Sequence, residues 1–426
     1  MRAITNTRLF DPASGLDEIG AIVFNDEGII ACGKDISPPP DDATIIDGTG
    51  LVTTPGLVDM QVFIGEPGEE YRETLATASQ AAAAGGVTTM IMMPDTQPVI
   101  DDAALVDYIS RRARGTALVN VHPMAGITKG LDGEMMNEFG LLHEAGAVAF
   151  TDGSRSVMNA RIMQKAMSYA ANFDALIMHH AIDANLVGDG VMNEGELAIR
   201  LGLSGIAVIA ETIMIERDIR LVEATGARYH VAQISSRESI DIIRQAKDRG
   251  LPVTCGVSAN HLMLNQNDVE NYRTFAKLMP PLRTEEDRQA LIEAIADGTI
   301  DVIVSGHNPQ GEDAKRRPFG EAEFGSIGVE TLLAAGLTLH HEIEVPLTRL
   351  IDAMSTTPAK LLGLSAGELT IGHPADLALI DIDAPWIVDA DNLHSRSRNA
   401  AIEGRKVQGK VMKTIVSGKT VFENND

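Results

Sequence analysis

Four side chains that can bind a metal ion or move a proton are spread along the middle of the chain: Asp152, His180, His261 and His307. Imidazole and carboxylate groups are accepted ligands of zinc, and a bound zinc ion acidifies water and polarises carbonyl groups. One hypothesis is therefore an unusual metal site built from these four residues. The alternative is that His261 and His307 are satisfied by local hydrogen bonds and that His180 is a buried structural histidine, because its imidazole with at most one carboxylate falls short of a zinc ligand set.

The elements that would position these side chains are short apolar strands alternating with longer helical patterns. Strands are predicted at 56–63, 87–93, 117–121, 147–151, 175–178, 229–234, 252–257 and 301–305, with helices that include 70–84, 161–171 and 238–249. Thr284 followed by three acids predicts a helix N-terminus. Eight βα units predict an α/β fold, a closed (β/α)8 barrel of the TIM type over residues 55–366, whose strand ends carry the chemistry.

The two ends of the chain have a different texture, because short apolar runs alternate there with turn residues. This pattern holds for residues 1–54, including the break at Pro38–Pro40, and returns in residues 367–426. It predicts that both ends pair into one small β domain of sandwich-like type.

Composition limits the classes of partner. The 426 residues carry a formal net charge of −25, which opposes binding to nucleic acid and anionic lipid. No apolar run reaches the ~18–20 residues of a membrane span, and the N-terminus does not resemble a signal peptide, so we expect a cytoplasmic protein. Two distant cysteines predict neither a disulfide framework nor a cysteine-based zinc site.

Seven segments resemble the dihydroorotases of the amidohydrolase superfamily, of the type associated with aspartate transcarbamoylase. They include TPGLVDM at 54–60, EYRETLATASQAAAAGGVTTMIMMPDTQPVID at 70–101, MPPLRTEEDRQAL at 279–291 and GKVMKTIVSGKTVF at 409–422; the others lie at 190–206, 297–303 and 324–333. The resemblance implies hydrolytic ring closure and opening between carbamoyl aspartate and dihydroorotate, at zinc held on strand ends. It also implies that an aspartate after strand eight acts as ligand and general base.

Most positions that the resemblance assigns to zinc ligands hold other side chains. In the frame PGLVDxHxHxREPG the two histidines are Gln61 and Phe63, and a third histidine, after strand six, is Gln233. The aspartate that would serve as ligand and base is Gly306, and the last histidine of the same segment is Gln310. An amide is a weak ligand and a phenyl ring is none.

Two possible ligands survive in the resembled positions, and the substrate contacts are altered as well. His180 occupies a ligand position, and Asp152 is an uncertain bridging carboxylate beside Gly153, which replaces an aspartate. The substrate-binding arginine is replaced by Gly65, and two asparagines are replaced by Asp95 and Met279. His261 and His307 match family histidines and could mark a remnant pocket.

These departures favour a non-catalytic dihydroorotase-like chain without a cofactor, in which the zinc of the family is not expected. Such a chain is expected to be an oligomeric, structural subunit for the aspartate transcarbamoylase catalytic chain, a role that inactive members of the resembled family have. The alternative is a divergent cyclic amidohydrolase with a reduced or altered metal site. A third hypothesis is a sensor that binds a pyrimidine precursor without converting it.

Overall fold

The computed structural model describes residues 1–36 and 43–424, so the predicted break at Pro38–Pro40 lies outside the described residues. The strands of this part are β1 Arg2–Asp11, β2 Leu16–Asn25, β3 Gly28–Gly33, β4 Thr44–Asp47, β5 Val52–Pro55, β6 Leu57–Val62, β7 Val87–Met92, β8 Asn120–Pro123, β9 Ile177–His179, β10 Met192–Asn193, β11 Gly205–Ile206, β12 Tyr229–Val231, β13 Val253–Ser258, β14 Val302–Val304, β15 Leu377–Ile387, β16 Lys406–Val416 and β17 Lys419–Glu423.

The α-helices alternate with the middle strands. They are α1 Leu75–Ala84, α2 Ala103–Thr116, α3 Phe139–Glu144, α4 Ala160–Ala170, α5 Ala184–Val187, α6 Glu196–Leu201, α7 Ile209–Thr225, α8 Arg237–Asp248, α9 Ala259–Met263, α10 Glu285–Ala296, α11 Glu312–Lys315, α12 Leu332–Ile343, α13 Leu347–Ile351 and α14 Thr357–Leu361. In residues 1–36 and 43–424 no helix is long and apolar enough to cross a membrane.

Strands from both chain ends form one eight-stranded sheet, in the order β17-β16-β15-β5-β1-β2-β3, with β4 also paired to β1. The join between the two ends is the antiparallel pair β5 and β15, in which Pro55 lies opposite Leu377. Apolar side chains from both ends, such as Ile4, Phe24 and Leu379, pack together in one buried cluster. The β domain predicted from both ends is therefore present.

The middle of the chain closes into a barrel of parallel strands. The strands β6, β7 and β8 form one arc, and β9, β12, β13 and β14 form the other. Phe150 joins the arcs on one side, because it bridges to Ala125 and to Ile177. On the other side Val62 bridges to His307, just beyond β14. The predicted fold class, a (β/α)8 barrel with a β domain, is confirmed.

Two elements differ from the sequence-based prediction. The fourth strand, predicted at 147–151, is irregular, although Phe150 and Thr151 still donate backbone hydrogen bonds to Leu176 and Ala125 on either side. Helix α1 begins at Leu75 instead of residue 70, because the Thr74 side chain accepts a hydrogen bond from the Thr77 backbone and caps the helix. The turn that precedes α1 extends from the end of β6.

The helix start predicted at Thr284 is confirmed. Thr284 caps α10 in a reciprocal capping box with Asp287, and three acids occupy the first turn. A helix start of this kind is encoded within four residues, which is why the sequence alone locates it.

Candidate functional site

A cavity of about 990 Å³ opens at the carboxyl ends of the barrel strands. In this fold the strand ends and the loops that follow them hold the chemistry. Ten of the positions singled out in the sequence line the cavity: Gln61, Phe63, Asp95, His180, Gln233, His261, Met279, Gly306, His307 and Gln310. Positions that are far apart in the sequence are therefore brought together around one cavity.

The position of the expected general base is filled by its neighbours. Gly306 has a φ of +61°, and a Cβ atom built on it would lie 2.8 Å from Nε2 of Gln233 and 3.2 Å from Oγ of Ser258. A side chain at this position would therefore be strained by the positive φ, and the end of the Gln233 side chain, which replaces a ligand histidine, would have to move to make room for it. The changes at 306 and 233 fit each other.

A second glycine, Gly153, lies against Asp95, which is itself altered relative to the resembled family. Its φ is +65°, and a Cβ atom there would lie 2.8 Å from Cγ of Asp95. The Asp95 carboxyl thus occupies space beside residue 153, where the resemblance expects an aspartate. Burial raises the pKa of Asp95, opposed by hydrogen bonds from Ser154 and by the charge of Arg72.

Asp152, the surviving candidate for a bridging carboxylate, is hydrogen-bonded to Thr128 and does not line the cavity. Its Oδ1 accepts a hydrogen bond of 2.8 Å from the Thr128 backbone, and its Oδ2 accepts one of 2.5 Å from the Thr128 hydroxyl. Burial raises the pKa of this carboxyl, against the effect of the Thr128 hydrogen bonds. The side chain fastens a loop and is not among the residues that line the cavity.

Gly65 cannot be replaced by the arginine of the resembled frame without moving the backbone. A Cβ atom at Gly65 would lie 2.1 Å from the carbonyl oxygen of Glu69, inside the turn in which the Glu69 N–H donates to Gly65. The expected anion clamp is therefore excluded by the path of the chain. Gly65 does not line the cavity.

An arginine that the sequence reading missed, Arg72, lines the same cavity. Its guanidinium donates to Oδ1 of Asn308 at 2.6 Å and to the Pro309 carbonyl at 2.9 Å, and it also pairs with Glu69. The guanidinium carbon lies 3.8 Å from the centre of the Phe63 ring. Phe63 thus stacks on an arginine that already donates three hydrogen bonds within the protein. The only signal in the sequence is a basic residue soon after β6.

His180 reaches the cavity from the end of β9 and is 4% exposed. Its Nε2 atom is buried and has no hydrogen-bond partner among the described residues. Burial, with a smaller effect of His179, lowers the pKa of His180 to about 4. The ring is therefore neutral near pH 7.

The neighbouring His179 belongs to the barrel wall. Its Nδ1 lies 2.7 Å from Oδ2 of Asp218, and its Nε2 accepts a hydrogen bond from the Val157 backbone. The Tyr229 hydroxyl also donates to Asp218. This buried network fixes the end of β9 and hence the adjacent His180.

His261 and His307 have different surroundings. Nε2 of His261 lies 3.0 Å from the Pro280 carbonyl oxygen, which can only accept, so Nε2 carries the proton and Nδ1 has a free lone pair. Nδ1 of His307 accepts from the Gly328 backbone at 3.2 Å, and its Nε2 lies 3.5 Å from the Glu73 carboxylate. His307 is thus oriented by the loop that closes the barrel, whereas His261 leaves an acceptor at the cavity.

The described residues do not fit the zinc of the resembled family. Within residues 1–36 and 43–424, no three or more His, Cys, Asp and Glu side chains come together in a group that could hold a metal ion. Asp152 is turned away from the cavity, and Gln61, Phe63 and Gln233 stand where histidines are expected. Asp152, His180, His261 and His307 therefore do not form the hypothesised four-residue site.

Comparisons with known proteins agree with the barrel fold. The family model for dihydro-orotase-like proteins matches residues 50–239, and an amidohydrolase family model matches residues 333–422. The chain is 43% identical to a dihydroorotase of Geotalea daltonii, over 99% of each chain. It is 41% identical to a dihydroorotase of Anaplasma phagocytophilum, over 99% of this chain and 95% of that one.

Among solved structures, the L-hydantoinase (dihydropyrimidinase) from Arthrobacter aurescens superposes with a TM-score of 0.90 at 26% identity, over 100% of this chain and 96% of that chain. A D-hydantoinase from a Thermus species gives a TM-score of 0.85 at 23% identity, over 100% and 96% of the two chains. The second likeness concerns the fold alone.

Proposed function

The chain belongs to the dihydroorotase family, and from that premise we propose that it is a non-catalytic member that serves as a structural subunit for aspartate transcarbamoylase. Its relatives named dihydroorotase match over nearly their whole length, so the barrel framework is retained. The chemistry of the family requires a metal that activates water and a base that moves its proton. Our proposal is that this chain keeps the framework and has lost that chemistry.

The observation that carries the proposal is that the space of the missing groups is occupied. At Gly306 the end of the Gln233 side chain and the Ser258 hydroxyl lie against the Cβ position of the expected base, and at Gly65 the Glu69 backbone carbonyl excludes the substrate-binding arginine. A divergent enzyme can tolerate the loss of one ligand. Several losses that fit one another sterically support a site no longer maintained for hydrolysis.

The proposed partner comes from the family resemblance, in which inactive chains assemble with aspartate transcarbamoylase. If the barrel serves to contact a partner, the surface of the barrel must be retained and its catalytic groups need not be. A framework that is kept without those groups is consistent with this role. Expression of the chain with and without the aspartate transcarbamoylase catalytic chain of the same organism tests this. We expect the two to co-purify in a fixed ratio and the catalytic chain to lose assembly or activity when expressed alone.

The control for that experiment is an aspartate transcarbamoylase chain from an organism whose enzyme assembles without such a subunit. It should not co-purify. If the cognate chain also fails to bind, and its activity and assembly are unchanged in the absence of the barrel protein, the structural role is wrong.

A further inference from the structure

The cavity retains buried polar atoms that the protein itself leaves without partners. In the part of the chain that the structure describes, no hydrogen bond reaches Oε1 of Gln61, Oδ1 of Asp95 or Nδ1 of His261. All three residues line the same cavity, and His261 is only 3% exposed. A buried polar atom without a partner costs free energy, so its presence in a cavity indicates a site for a bound molecule.

All three atoms are hydrogen-bond acceptors. The amide oxygen of Gln61 and the carboxyl oxygen of Asp95 accept by nature. His261 donates through Nε2 to the Pro280 carbonyl, which leaves Nδ1 as an acceptor while the ring is neutral. Burial lowers the pKa of His261 to about 4, so the ring stays neutral near pH 7. A ligand that satisfies these three atoms must bring N–H or O–H donors. Nε2 of His307 lines the same cavity without a hydrogen-bond partner among the described residues and carries a proton, because Nδ1 accepts from Gly328, so it is left to a water molecule or an acceptor of the ligand.

The charges around the cavity favour a cation over an anion. The lining contains five carboxyl groups and three arginines. Arg72, which lies against the Phe63 ring, already donates to Asn308, Pro309 and Glu69, and Arg155 donates to the Leu131 carbonyl at 3.2 Å. An anionic ligand beside Asp95 would meet a carboxyl group in a lining where acids outnumber arginines by five to three.

We propose that this cavity binds a small cationic amine or guanidinium compound, with Asp95, Gln61 and His261 as the acceptors of its N–H groups. Asp95 pairs with the positive charge, and the two neutral acceptors fix the orientation of the ligand. Two of the three residues, Gln61 and Asp95, replace a ligand histidine and a substrate-binding asparagine of the resembled family, whereas His261 matches a family histidine, so the site combines retained and altered groups into a new specificity. It does not depend on the subunit role proposed above.

Isothermal titration calorimetry of the full-length protein tests the proposal, with agmatine as the probe because it carries both a guanidinium and an ammonium group. We expect saturable binding of one agmatine per chain and none of carbamoyl aspartate at a tenfold higher concentration. Asp95→Asn should weaken agmatine binding at least tenfold. Asp248→Asn is the matched control, since it removes one exposed acid outside the cavity and should change binding less than twofold.

Stability measurements keep this test independent of folding. Because burial raises the pKa of Asp95, a neutral amide of the same shape should not lower the melting temperature. Gln61→Met, which removes the amide oxygen and leaves the net charge unchanged, should weaken binding about three- to tenfold. Absence of agmatine binding, binding retained within twofold in Asp95→Asn, or preferential binding of carbamoyl aspartate would each overturn the proposal.

Discussion

At the level of single residues, three glycines, Gly65, Gly153 and Gly306, stand where the family resemblance expects an arginine and two aspartates. At each of them a Cβ atom would come within 2.8 Å of a neighbouring atom. The family resemblance identifies these positions from the sequence. The sequence does not show that Glu69, Asp95 and Gln233 have taken up the space, because that depends on contacts between segments.

Restoring the aspartate alone should fail. Gly306→Asp places a side chain at a φ of +61° and against Gln233, so we expect no gain of dihydroorotate hydrolysis and a loss of roughly 2–4 kcal/mol in the free energy of unfolding. Urea unfolding measures the loss. Gly250→Asp is the matched control, because Gly250 has a φ of +72° with nothing within 4 Å of its Cβ position. Gly250→Asp introduces backbone strain without a steric contact, so its loss in the free energy of unfolding should be smaller. An equal loss in the two variants would show that contact with Gln233 adds nothing to the cost at Gly306.

Buried histidines predict how stability depends on pH. Burial lowers the pKa of His230 to about 3 and that of His261 to about 4, whereas the pKa of an unfolded histidine is ~6.5. The unfolded chain therefore binds more protons below pH 6.5. The stability from these neutral rings is complete above that pH and is lost as the pH falls toward 4.

Urea unfolding between pH 7.5 and 4.5 measures this loss. His261→Gln should reduce the slope of unfolding free energy against pH, while substitution of the exposed His143 by Gln should leave the slope unchanged. A slope that is the same in wild type and His261→Gln would contradict the account.

At the scale of helices and strands, the sequence predicts what is encoded locally. The capping box at Thr284 and the buried strands β6, β7 and β13 follow from short patterns of caps and apolar residues. The irregular fourth strand, which is ordered by its neighbours, and Arg72, which contacts a loop more than 230 residues away, depend on tertiary contacts. The strands and helices of the barrel are therefore predictable from the sequence, whereas the side-chain contacts at the cavity are not.

The cap that shortens α1 gives a prediction at this scale. Thr74→Ala removes the hydroxyl that accepts from the Thr77 backbone, so the free energy of unfolding should fall by about 1 kcal/mol. Thermal or urea unfolding detects this change. Ser168→Ala, at an exposed position within α4, should stay within about 0.5 kcal/mol of wild type. A smaller effect at Thr74 than at Ser168 would show that the cap does not define the helix start.

For the whole molecule, we propose that a dihydroorotase framework has lost its hydrolytic site. The chain is similar to dihydroorotases over its full length, and within residues 1–36 and 43–424 no group of side chains could hold a metal ion. The protein should therefore lack both tightly bound metal and turnover, whichever partner binds its surface and whichever ligand enters the cavity.

The most direct test is turnover of carbamoyl aspartate and dihydroorotate by the purified protein, with metal content determined on the same sample before and after incubation with zinc. A family member that retains its ligand histidines is the positive control. Our account predicts less than a tenth of an equivalent of tightly bound zinc and no turnover above the protein-free reaction. One equivalent of zinc together with turnover that is lost in His180→Ala would contradict it.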